Sequence, residues 1–197
     1  AQALLGNSLR LTICMLPLAG LASGSALEVV RLIYGSDFSR AAPLLAVLMF
    51  GAVFLSILSV AVAALVAAKR PNLPLLLTGP VILAAPVLYA LAISRFGPLG
   101  AAWLTTGLAF VALVPALGAS LRLWGISWPS STLLKSGLIC VFAYGMATHW
   151  TTTGSLVLLK LAVGSSAVLL LYYTLGELKR HEVARFFSAL FPGQRAP

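Results

Sequence analysis

The chain has 197 residues, of which 13 are Lys or Arg and 4 are Asp or Glu, for a formal net charge of +9. Charged residues are 9% of the chain and hydrophobic residues 60%, where a soluble domain carries about 25% charge; the mean hydropathy is +1.04. So few charges cannot cover the surface of a water-soluble enzyme, which excludes that class and leaves a polytopic membrane protein.

A membrane-crossing helix needs about 20 apolar residues, and six segments qualify in order: 11–34, 41–68, 72–94, 98–121, 133–149 and 154–176. The first reaches spanning length by running through Glu28 and Arg31, and the sixth by including Lys160. Residues 1–178 are therefore expected to form one all-α, six-span unit, because the turns between the segments are too short for a soluble domain. Pro74, Pro80 and Pro86 in span three and Pro115 in span four each remove a helix hydrogen bond, so these spans are expected to kink. Gly20, Gly24, Gly51, Gly79, Gly107 and Gly118 are expected to allow close helix approach. After Gly176, Val183, Phe186, Phe187, Leu190 and Phe191 recur at helical spacing among Lys179, Arg180 and Arg185. That pattern makes 179–197 an expected amphipathic tail on the cytoplasmic leaflet, where each basic residue contributes about 1 kcal/mol of attraction to anionic lipid.

With the first residue cytoplasmic, inside segments hold nine basic residues and outside loops hold Arg31, Arg40 and Arg95. The positive-inside bias thus places both ends of the chain in the cytoplasm. The chain begins at Ala1 with no secretory leader before its first span, and is read as a piece whose upstream part is missing. The basic excess lacks interleaved aromatics on a polar scaffold, so no nucleic-acid partner is expected.

Charges inside or beside the spans are the candidate site residues, because an ionisable group in hydrocarbon is costly. They are Arg10 at the cytoplasmic mouth of span one, Glu28 and Arg31 near its outer end, and Lys160 some six residues inside the outer end of span six. Glu28 and Arg31 are three apart and share a helix face; they form either a structural ion pair or a pair that meets a polar substrate. Lys160 either snorkels to the interface or lines an anionic substrate path, and Arg10 either orients its helix or meets an anionic head group. Asp37 and Arg40 flank a short wet turn. Cys14 and Cys140 are isolated, and His149 and His181 fall on opposite sides of the membrane, so no metal or disulfide is expected. No phosphate-binding GxxxxGK[ST] run occurs, and neither a catalytic residue nor a cofactor is expected.

Three stretches carry a family resemblance. They are Leu32-Ile-Tyr-Gly-Ser-Asp-Phe-Ser-Arg-Ala-Ala-Pro43, Ala64-Leu-Val-Ala-Ala-Lys-Arg-Pro-Asn72 and Phe96-Gly-Pro-Leu-Gly-Ala-Ala-Trp103. In this order and spacing they resemble the C-terminal part of the Wzx-like polysaccharide flippases, of the exporter superfamily that also holds the lipid II flippases and the MATE drug antiporters. The resemblance implies the C-terminal lobe of a two-lobed MATE/MOP-like transporter in the bacterial cytoplasmic membrane. It implies a polyprenyl-pyrophosphate-linked oligosaccharide as cargo, alternating access as mechanism, and membrane lipid and the missing N-terminal lobe as partners. It maps no substrate residue, so Arg10, Glu28, Arg31 and Lys160 rest on physical grounds alone. Two other functions compete: a MATE-type drug/cation antiporter, which needs an embedded carboxylate, and a membrane enzyme acting on lipid-linked sugars.

Overall fold

The computed structural model describes residues 2–128 and 130–175, and every regular element among them is helical. In chain order these are α1 (Gln2–Ile13), α2 (Leu16–Gly24), α3 (Ala26–Tyr34), a short 3₁₀ turn (Ser36–Ala41), α4 (Ala42–Ala67), α5 (Asn72–Trp124), α6 (Ser130–His149) and α7 (Leu156–Thr174). Among the described residues five segments are long and apolar enough to cross a membrane: Leu5–Gly24, Ser36–Ala67, Asn72–Trp124, Ser130–His149 and Leu156–Thr174.

The long helix α5 folds back on itself. Gly97 has φ 61° and ψ −150°, a region essentially reserved for glycine, and Pro98 follows it. The Tyr89 hydroxyl lies 2.8 Å from the Thr105 hydroxyl across 16 residues; a straight helix would hold these positions about 24 Å apart. The second glycine of the turn, Gly100, packs where a Cβ would run into the Ala92 carbonyl and Phe96. The arms 72–96 and 98–124 are thus two passes, and the described residues make six helical passes. The remaining interior prolines, Pro80, Pro86 and Pro115, stay within helical backbone, so the strong bend comes from Gly97 rather than from them.

The first pass departs from the expected single span over 11–34. The helix breaks after Ile13 and resumes at Leu16, because Pro17 in the first turn of α2 has no N–H to give the Ile13 carbonyl, and its ring crowds that group. A second bend at Ser25 separates α2 from α3, although Ser25 and Val29 keep helix-like bonds to Leu21 and Ser25 at 3.1 and 3.0 Å. The amphipathic tail expected over 179–197, and His181 with it, lie outside the described residues.

The interior mixes alanines, among them Ala61, Ala64, Ala109, Ala116, Ala143 and Ala147, with larger apolar side chains such as Leu9, Ile57, Leu65 and Leu121, while Leu75, Leu76, Ile82 and Leu83 of α5 are 65–81% exposed. Small residues at the contacts let helix backbones approach closely. Two of the expected glycines show this on α2. A Cβ on Gly20 would come within 2.7 Å of Cys140 Sγ, and one on Gly24 within 2.7 Å of Ala147 Cβ. Gly51 lets α4 approach Thr106, whose hydroxyl donates to the Val47 carbonyl at 3.1 Å. Gly79, Gly107 and Gly118 face open space and make no such contact.

Candidate functional site

The Gly20–Gly24 face of α2 presses α6 into place, and Gly164 of α7 receives the Leu21 side chain in the same way. Leu21, Ile139, Ala143, Ala147, Val168 and Tyr172 close the resulting core. Within it the Tyr172 hydroxyl donates to Ser136 Oγ at 2.7 Å, both residues being buried. This packing fixes the last turn of α6 and the first turns of α7 against the first turn of α3.

At that junction sits a buried carboxylate–ammonium pair. Lys160 Nζ is 2.6 Å from Glu28 Oε2, with the two side chains 1% and 13% exposed. The same ammonium donates to the Ala147 carbonyl at 2.7 Å. That carbonyl lies in the final turn of α6, where helix geometry leaves carbonyls without intrahelical donors and concentrates negative potential. The other lone pairs of Glu28 are met by Thr152, whose backbone N–H donates to Oε1 at 2.8 Å and whose hydroxyl donates to Oε2 at 3.2 Å. Four chain segments converge on two opposite charges.

The outcome differs from both pairings open to the sequence. Glu28 takes Lys160 rather than Arg31, which is exposed. Lys160 turns inward rather than snorkelling, because a carboxylate and an open carbonyl lie within reach. Thr152 and the Ala147 carbonyl were missed by sequence reasoning. Their signal was topological: in a six-pass bundle the end of the first pass and the 149–155 turn lie at the same end.

The fourth candidate, Arg10, lies at the opposite end of the bundle. α5 stops at Gly125, which takes φ 61° and returns Ile126 N–H to the Leu121 carbonyl at 3.0 Å. This turn carries Ser127 and Trp128 across α1, and Gln2 Nε2 bonds the Trp124 carbonyl at 2.8 Å. The result is a cleft of about 340 Å³ lined by Arg10, Asn7, Ser127, Trp128, Ser130 and Ser131 among others. Arg10 is exposed, and it is the cation of a wall in which Asn7 and the serines alternate with Leu9, Leu121, Ile126 and Trp128. A second groove, of about 450 Å³ and mainly apolar, runs between α4 and the arms of α5 along Leu58, Val62, Ile82 and Leu108.

Asp37, Arg40 and His149 are exposed. Cys140 is buried and Cys14 partly buried, and neither is in a disulfide. Among the described residues no group of three or more His, Cys, Asp or Glu comes together in a way that could hold a metal ion. No protein-family model, curated protein or solved structure matches the chain.

Proposed function

We propose that the chain is the C-terminal lobe of a MATE/MOP-like exporter of the Wzx-like kind, which carries a polyprenyl-pyrophosphate-linked oligosaccharide between leaflets by alternating access. Six helical passes with large apolar side chains on the outside and close glycine contacts between helices support the transporter architecture. The three stretches that carry the resemblance fall on helix-to-helix turns: the 3₁₀ turn before α4, the Lys69 turn after it and the Gly97 turn.

The observation that carries the cargo reading is the Arg10 cleft. A pyrophosphate cannot enter hydrocarbon unpaired. It needs a guanidinium for charge and short donors for its remaining oxygens. Arg10, Asn7 and the serine hydroxyls supply that set at one end of the bundle. On this reading the cleft faces the cytoplasm, where the head group is captured, and a second lobe of the same polypeptide completes the passage.

The antiporter reading needs a carboxylate open to a proton or sodium ion. Glu28 is the carboxylate placed for it, and its oxygens are taken by Lys160 and Thr152, which favours the flippase. A binding measurement with a short-chain prenyl pyrophosphate in detergent tests the reading. Arg10→Ala is expected to weaken binding by about tenfold or more, with Arg31→Ala close to the parent. Equal affinity in parent and Arg10→Ala contradicts it.

A further inference from the structure

The buried node holds a cation where the surroundings demand one. The final turn of α6 ends in a carbonyl without a helical partner, and the Glu28 carboxylate lies beside it. Both are hard oxygen donors, the ligand type that ions of the sodium and calcium kind select. The Thr152 hydroxyl stands 3.2 Å from the same carboxylate oxygen. At the bend just before α3, three residues from Glu28, Ser25 Oγ is fully buried and has no hydrogen-bond partner. A negative, water-poor pocket of oxygens costs free energy unless a positive charge fills it.

We propose that this node is a monovalent-cation position whose resident is the protein's own ammonium, tethered to α7 as Lys160. The six-pass unit then holds α3, α6 and α7 together without drawing a sodium or potassium ion from solution. An ammonium group and an alkali ion accept the same ligands, so removal of the side chain exposes a site that a dissolved cation fills. The inference concerns the node alone and stands apart from the identity of the cargo.

The test is thermal unfolding of the detergent-purified chain and of Lys160→Ala in sodium, potassium, ammonium and choline chloride at equal ionic strength. The parent is expected to melt at the same temperature in all four salts. Lys160→Ala is expected to melt lower in choline and to regain about 3 °C or more when a small cation replaces choline. That gain is expected to vanish in Glu28→Gln/Lys160→Ala, which lacks the anion. Lys160→Gln, which keeps most of the stem, is expected to follow Lys160→Ala with a smaller gain. A variant that folds only in the presence of a small cation supports the proposal. Equal melting of Lys160→Ala in every salt, its failure to fold in every salt, or a parent that gains as much from sodium or potassium as the variant overturns it.

Discussion

Glu28 and Lys160 stand 132 residues apart in the chain and 2.6 Å apart in space, joining the end of the first pass to the start of the last. Neither charge is stable there alone, since an unpaired buried ion costs several kcal/mol. Glu28→Gln or Lys160→Met alone is therefore expected to destabilise the chain by about 3 kcal/mol. The double variant is expected to recover most of that loss. A double-mutant cycle by denaturant titration in mixed micelles measures the coupling; additive losses would show that the two charges act independently.

The α2–α6 contact depends on the absence of side-chain carbon at two positions. Gly24→Leu forces backbone at Tyr144 and Ala147 to retreat and moves the carbonyl that Lys160 uses. Its expected cost is about 3 kcal/mol, at the upper end of overpacking losses. Gly79→Ala and Gly118→Ala meet open space and are expected to be neutral, or to stabilise the helix by up to about 1 kcal/mol. Melting temperatures of the three variants check the contrast.

Tyr172 and Ser136 satisfy each other inside the same core. Tyr172→Phe leaves the serine hydroxyl buried without that donor, for an expected loss of about 1–2 kcal/mol. Tyr172→Phe/Ser136→Ala is expected to cost less than the sum of its single variants, because it leaves neither group stranded. Thermal unfolding of the four proteins reads the difference.

The fold-back at Gly97 is directly accessible to cross-linking. Tyr89→Cys/Thr105→Cys, placed in a Cys14→Ala/Cys140→Ala background, is expected to join with a short bifunctional thiol reagent. Tyr89→Cys/Trp124→Cys is expected not to join, since Trp124 lies at the far end of the second arm, where its indole N–H bonds the Ala64 carbonyl at 3.1 Å. Cross-linking of the second pair in place of the first would point to a different path for α5.

Much of this architecture was legible because it follows from local physics. Spanning length reads directly from apolar runs, and the Phe96-Gly-Pro-Leu-Gly100 sequence marked a turn between spans three and four, which the φ of Gly97 bears out. The break at Pro17 was legible in principle: a proline some six residues into an expected span removes one bond and crowds a carbonyl wherever it falls. The charge pairing was not legible, because spacing of three along a helix proves adjacency on a face and says nothing of which face turns inward. Glu28 lies toward the bundle and Arg31 away from it, a difference set by tertiary packing of α3 on α7. The glycines divide for the same reason. Gly20 and Gly79 look alike in sequence, and only the arrival of α6 gives the first a role.

Transfer of cargo across a bilayer tests the central claim most directly. The polypeptide carrying both lobes is reconstituted into liposomes with a labelled polyprenyl-pyrophosphate oligosaccharide, and the label reaching the far leaflet is followed over time. The account predicts protein-dependent transfer without nucleotide, reduced about tenfold or more by Arg10→Ala and little changed by Arg31→Ala. Transfer no faster than in protein-free liposomes, together with exchange of a cationic drug for protons or sodium, would contradict it and place the chain among the antiporters.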